Sequence, residues 1–251
     1  MILSIMKTVG IIQARMGSTR LPGKVLINIL GNPMLYYVIN RLKHCKYLDD
    51  VIVATSDELS DDAIVQYCIE NNVNYFRGSE NDVLSRFVLA ASNFDADIIV
   101  RVTADCPLID PLIVDNVICK HIENNADYSS NFYDRYYPRG VDVEVINFSV
   151  LKEINSKNLE KHHREHVTPY IYENPNKYKI HSEKATGKFI RPDLRITVDT
   201  KEDLLLIRKI YLNLYTENNI FTLADVIDLL EKKPELIAIN RVIQQKTIKE
   251  H

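Results

Sequence analysis

Chemistry is first possible in this chain at a ten-residue stretch, Arg15-Met-Gly-Ser-Thr-Arg-Leu-Pro-Gly-Lys24, which sets Arg15, Arg20 and Lys24 beside Gly17 and Gly23, with Ser18 and Thr19 between. Glycine lets backbone amides approach a ligand closely, and consecutive loop amides can form a nest for an anion. Guanidinium and ammonium groups add charge-assisted hydrogen bonds to phosphate oxygens. Such a loop suits polyphosphate. Two isolated aspartates, Asp105 in Thr-Ala-Asp-Cys-Pro and Asp199 in Thr-Val-Asp-Thr, supply hard carboxylate oxygen. Mg²⁺ takes one or two such ligands together with phosphate oxygens and water. Asp105 alone also fits a plain turn cap closed by Pro107. A third group, Arg135, Arg139, His163, Arg164 and His166, gathers cationic side chains in the second half of the chain.

Two familiar loop motifs are excluded. A Walker A loop needs four residues between its glycines and a Ser or Thr after the lysine. Here five residues separate Gly17 from Gly23, and Val25 follows Lys24, so no hydroxyl is placed for Mg²⁺. The glycine spacing is not that of a dinucleotide fingerprint either.

The elements that must position these residues alternate regularly at first. Residues 8–14 read as a short apolar strand leading into the loop, and 51–55, 74–77 and 97–102 as further strands. The last is mostly apolar apart from Arg101, as in a strand covered on both faces. Helices fall between them. Met34, Leu35, Val38, Ile39 and Leu42 recur at helical spacing after Pro33, Ser60 reads as the N-cap of a helix reaching Glu70, and 83–93 follows. Asp110-Pro111 reads as N-cap and first turn of a helix over 112–124. A loop after the first strand and a carboxylate after a central strand both lie where open α/β sheets bind ligands.

Beyond residue 124 the alternation loosens. Residues 128–133 are strand-like and 134–140 form a polar, aromatic turn. Val141-Asp-Val-Glu-Val145 alternates, so Asp142 and Glu144 share one strand face, which solvent exposure and a binding site explain equally well. Helices are expected over 148–155, 159–173, 201–215 and 221–230, strands over 178–184 and 196–200, the latter ending in Asp199, and a helical tail from Pro234. His162-His-Arg-Glu-His166 matches a zinc-peptidase pattern with histidines four apart on one helix face. No further zinc ligand is identifiable and Pro169 disturbs the helix, so a basic face turned to an anion is favoured over zinc, with a solvated face as the plain alternative.

Composition narrows the class. In 251 residues, 31 Lys plus Arg stand against 34 Asp plus Glu, which leaves no basic excess for nucleic acid. No apolar run approaches the ~18 residues of a membrane helix. The first six residues, Met1 to Met6, are too short for a signal-peptide core, and either methionine can serve as the start. Four scattered cysteines with no CxxC pair suit free thiols, so the expected compartment is the cytoplasm.

The stretch Ala14-Arg-Met-Gly-Ser-Thr-Arg-Leu-Pro-Gly-Lys24 resembles the signature loop of the cytidylyltransferases that make CMP-activated sugars, above all the spore-coat polysaccharide branch, related to the CMP-Kdo and acylneuraminate enzymes. Gly78-Ser-Glu-Asn-Asp-Val-Leu-Ser-Arg86, Ala104-Asp-Cys-Pro-Leu-Ile109, Tyr137-Pro-Arg-Gly-Val-Asp-Val-Glu144 and Arg164-Glu-His-Val-Thr-Pro-Tyr170 are similar to further family segments. Ala104 stands where relatives often carry glycine. The resemblance implies an α/β fold: a single Rossmann-like nucleotide-diphosphosugar transferase domain over 6–232, with a mixed, mostly parallel central sheet and a helical tail over 233–251. It implies Mg²⁺-dependent transfer of CMP from CTP to an anionic sugar or small phosphorylated acceptor, with release of pyrophosphate. Arg15 and Lys24 take the catalytic roles and Asp105 and Asp199 the metal. Gln13, Ala14, Gly17, Ser18, Arg20, Thr55, Ser56, Asp57 and Arg86 belong to the nucleotide, and Arg139, Asp142, Glu144, Arg164 and His166 to the acceptor. The expected partners are CTP and the acceptor, with no nucleic acid and no membrane, and a homodimer is the assembly to test. Two rivals remain: a glycosyltransferase of the same fold, whose only D-x-D-type candidate is Asp142-Val-Glu144, and a non-catalytic nucleotide-binding module.

Overall fold

The computed structural model describes residues 6–217 and 219–245. The signal-peptide reading of residues 1–5 and the end of the tail, 246–251, lie outside the described residues. In chain order the elements are β1 (Thr8–Gln13), a two-residue-a-side hairpin β2 (Asn28–Ile29) and β3 (Asn32–Pro33), α1 (Met34–Leu42), β4 (Asp50–Ser56), α2 (Asp62–Glu70), β5 (Asn74–Gly78), α3 (Val83–Asn93), β6 (Ile98–Thr103) and α4 (Pro111–Glu123). They continue with β7 (Tyr128–Ser130), β8 (Glu144–Asn147), α5 (Phe148–Asn155), α6 (Lys161–His166), α7 (Pro169–Tyr172), β9 (Ile180–Ser182), α8 (Lys201–Leu214) and α9 (Leu223–Lys232).

Seven strands form one mixed sheet in the order β5-β4-β1-β6-β8-β7-β9. All neighbours run parallel except β8, which is antiparallel to both β6 and β7. Alternation along β1 explains why helices cover both faces. Val9 and Ile11 pack with Leu84 and Phe87 of α3 on one side, while Ile12 packs with Leu35 and Val38 of α1 on the other. Each strand residue thus meets a buried layer, as in parallel sheets generally. The chain lays β4 and β5 to one side of β1, then crosses to place β6 on the other. That reversal opens a crevice beyond the carboxyl ends of β1 and β6, which is where such sheets bind ligands.

Several elements differ from the sequence reading, each for a local reason. Ser60 lies in a 3₁₀ turn, Leu59–Asp61, and does not cap α2. Asp110 does cap α4, its Oδ1 accepting from the Leu112 amide at 2.8 Å. The helix expected over 159–173 is broken into α6 and α7 at Val167, which takes φ 73° and ψ −53°. Its neighbours close a tight turn there, the Thr168 amide donating to the His166 carbonyl at 2.9 Å. The strand expected over 141–145 begins only at Glu144, and 196–200 is not a strand, although Arg139 and Arg195 form a parallel bridge just before it. The tail segment Pro234–Ile239 is 3₁₀ helix, with Leu236 buried.

Candidate active site

A cleft of about 570 Å³ sits at the crevice. It falls within the ~300–1,000 Å³ typical of small-molecule sites. One wall is the loop after β1. Gly23, at φ 67°, opens a 3₁₀ turn over Lys24–Leu26 and aims Lys24 inward. The loop is tied behind by Asp61, whose Oδ1 accepts the Met16 amide at 2.7 Å. Arg15, Gly17, Ser18, Arg20 and Lys24 all line the cleft, and Gln13 joins them from the end of β1.

The floor joins the two distant aspartates. Lys24 Nζ donates to Asp105 Oδ2 at 2.7 Å, to Asp199 Oδ1 at 2.7 Å and to the Val198 carbonyl at 2.9 Å. The two carboxylate oxygens are thus no further apart than twice one such bond, with the Lys24 ammonium between them. Asp105 also accepts from Thr103 Oγ1 at 2.6 Å, and Asp199 Oδ2 from Arg195 at 2.7 Å and Arg20 at 2.9 Å. Burial alone would raise the Asp199 pKa, but Lys24, Arg195 and Arg20 bring it down to about 2. For Lys24, burial pulls the pKa down and the two aspartates more than reverse this, leaving it raised. The centre is a charge cluster of two carboxylates and three cations.

Asp199 reaches this floor without a strand because of Gly140. It takes φ 114°, and a Cβ there would lie 2.5 Å from the backbone of Ile196 and Thr197. This contact and the Arg139–Arg195 bridge press the two loops together, setting Arg139 and Asp142 beside Asp199 on the cleft wall. Arg195 is held from behind by Asp203, which is fully buried and also bonded by Asn240 Nδ2 at 2.8 Å.

The acceptor-side expectations divide. Arg139, Asp142 and His166 line the cleft. Among the described residues the Arg139 guanidinium has no ion-pair partner, and burial together with Arg135 and Arg195 lowers its pKa. Asp142 is paired with Arg135 at 2.5 Å. Glu144 and Arg164 are turned away. Glu144 is buried, paired with Arg101 and bonded by the Tyr128 hydroxyl at 2.8 Å. Asp142 and Glu144 therefore do not form a D-x-D-type pair. Arg164 clamps the Asn155 side chain at 2.6 Å and the Lys157 carbonyl at 3.0 Å. The H-x-x-E-H pattern does not converge either: His166 faces the cleft, whereas His162 and His163 meet Glu173 at 3.2 and 2.7 Å. His163 Nδ1 accepts the Glu160 amide in a capping box, while its Nε2 braces α6 against Glu173.

On the nucleotide side, Ala14 is buried under the loop. Thr55 and Ser56 spend their hydroxyls on Asp61, at 3.0 and 2.6 Å. Asp57 is exposed, and none of these four lines the cleft. Arg86 also lies off the cleft, buried on α3, where one NH donates to the Ser79 carbonyl and desolvation lowers its pKa to about 10. The sequence reading noted Arg101 but gave it no place in the site. Arg101 enters the floor from β6, its NH2 donating to Gln13 Oε1 at 2.8 Å. A lone arginine in an otherwise apolar central strand was the available signal.

Similarity to known proteins places the chain in a family and agrees with the fold. The cytidylyltransferase family profile matches residues 9–233. The uncharacterized protein MJ1063 of Methanocaldococcus jannaschii is 40% identical over 247 residues, 98% of this chain and 99% of its own. Spore coat polysaccharide biosynthesis protein SpsF of Bacillus subtilis is 36% identical over 230 residues, 90% and 94% of the two chains. The solved cytidylyltransferase of Leptospira borgpetersenii superposes with a TM-score of 0.87 at 34% identity, covering 96% of this chain and all of the other. Fold and cleft together define an α/β nucleotidyltransferase. More particularly, the chain belongs to the cytidylyltransferase family and is a CTP-dependent enzyme.

Proposed function

We propose that this enzyme transfers CMP from CTP to an anionic acceptor and releases pyrophosphate, in the assembly of a surface polysaccharide or glycoconjugate. The kind of pathway is supported by the likeness to SpsF. The observation that carries the chemistry is the Lys24–Asp105–Asp199 centre beneath the Gly17–Ser18 loop. Nucleotidyl transfer asks a protein mainly for positioning and charge neutralisation. Arg15, Arg20, Lys24 and the loop amides would bind the triphosphate with its α-phosphorus towards the acceptor half of the cleft. An acceptor oxygen attacks that phosphorus in line, and the same cations neutralise the charge gathering on the departing pyrophosphate.

Paired aspartates are a hard-oxygen donor set that fits Mg²⁺, which favours few carboxylates together with phosphate oxygens. Asp105 and Asp199 would hold it, and when bound it neutralises charge on the phosphates. The anionic character of the acceptor is supported by Arg139, a half-buried guanidinium left without a carboxylate partner among the described residues. Such a group gains most when an anion enters, and its paired N–H donors suit a carboxylate or phosphate. Asp142 would take the acceptor's hydroxyls. A pyrophosphate-release screen of CTP with neutral sugars, keto-sugar acids and small phosphates tests the reading. Turnover is expected with the anionic groups, and turnover confined to neutral sugars would refute it.

A further inference from the structure

Lys24 is assigned to the triphosphate, yet all three of its N–H donors are spent on the floor of the site: on Asp105, Asp199 and the Val198 carbonyl. Its side chain is only 11% exposed. The ammonium thus lies between the two carboxylates that would hold a divalent cation. Two carboxylates held this close repel unless a cation separates them, and the partners of Lys24 at 2.7 Å show that it fills this part. Of these two carboxylates Arg20 and Arg195 reach Asp199 alone, and among the described residues Asp105 has no cation partner other than Lys24.

We propose that Lys24 is an internal stand-in for the divalent cation, occupying its place between Asp105 and Asp199 in the ligand-free enzyme and leaving it when the metal–nucleotide complex binds. This rests on the Mg²⁺-dependent reading given above. The ammonium and the metal compete for the same two carboxylates, so the free enzyme binds the cation poorly. Arriving triphosphate gives Lys24 a second anion to move to, and the released carboxylates then accept the metal. Metal and nucleotide are thereby coupled, each binding better with the other, and a coupling free energy of this kind is reciprocal. The exchange needs little movement of the chain, because Lys24 stems from the loop that cradles the phosphates. The lysine also keeps the site assembled between turnovers.

The test is Mn²⁺ binding, read as the protein-dependent change in its electron paramagnetic resonance signal, for wild type, Lys24→Met, Lys24→Gln and the double variant Lys24→Met/Asp105→Asn. Without nucleotide, both Lys24 variants should bind Mn²⁺ at least ~10-fold more tightly than wild type, the lower bound set by removing two charge-assisted contacts. The double variant should lose that gain. Lys24→Gln keeps a hydrogen-bonding amide between the aspartates, so it covers the case in which Lys24→Met does not fold. Mn²⁺ binding by either folded variant no tighter than wild type overturns the proposal. If wild type still takes Mn²⁺ with CTP in that case, the metal reading stands and only the stand-in role falls. If it takes none even with CTP, both fall.

Discussion

At the scale of single residues, the site is built from charges that pair with one another, Lys24 with Asp105 and Asp199 above all. Lys24→Ala should lower turnover with CTP by roughly 10–100-fold, the equivalent of ~1.5–3 kcal/mol for charge-assisted contacts. Steady-state kinetics of pyrophosphate release checks this, and undiminished turnover would remove Lys24 from the chemistry. Arg139→Lys should raise the acceptor KM and leave CTP affinity nearly unchanged, because lysine keeps the charge and loses the paired donors. A parallel loss of CTP affinity would place Arg139 on the nucleotide. The loop cations were legible in sequence because glycine and charge crowd into one short, polar segment, whereas the two isolated aspartates were paired only by the family resemblance. Glu144 was not. Strict alternation over 141–145 says which residues share a face, and only the neighbouring strand, bringing Arg101 opposite Glu144, decides that this face is buried.

Among elements, the regular half of the chain was readable and the second half was not, for a physical reason. Through α4 each strand and helix carries its own period, and Asp110-Pro111 marks its helix start unaided. The segment leading to Asp199 alternates like a strand, yet Arg195 bridges Arg139, 56 residues earlier, and the Val198 amide bonds the Asp105 carbonyl, 93 residues earlier. No local pattern encodes that. The hinge of this arrangement is Gly140. Gly140→Ala should cost ~1–3 kcal/mol of stability, since alanine at φ 114° is strained and its Cβ meets the Ile196–Thr197 backbone at 2.5 Å. Urea unfolding measures it, and a change within about 0.5 kcal/mol would show that the two loops need no such close approach. The broken helix at Val167 is a second case: its φ of 73° is rare for a β-branched residue, and it leaves His166 towards the cleft while His163 faces Glu173.

For the whole molecule, the sheet reversal between β1 and β6 fixes where the cleft opens, and no helix among the described residues is long and apolar enough to cross a membrane. Stability has its own pH signature, away from the site. His121 is buried on α4, its Nδ1 facing Ser129 Oγ at 2.9 Å and its Nε2 facing Asn147 Oδ1 at 3.1 Å. Desolvation lowers its pKa below the usual 6.5, against smaller opposing contributions from Asn147 and Asp127. The neutral ring is therefore native, and the unfolded chain binds the extra proton first. Its contribution should be full above about pH 6.5 and fall as pH drops through the native pKa. Urea midpoints at pH 7.5 and pH 5.5 should differ less in His121→Gln than in wild type, and equal differences would contradict this.

The central claim is that the cleft transfers CMP from CTP to an anionic acceptor. Phosphorus-31 NMR of enzyme, Mg²⁺, CTP and a keto-sugar acid or small phosphate tests it most directly. One equivalent of pyrophosphate is expected for each equivalent of a new CMP-linked product. Orthophosphate in place of pyrophosphate, or CMP released free while the acceptor stays unchanged, would contradict it.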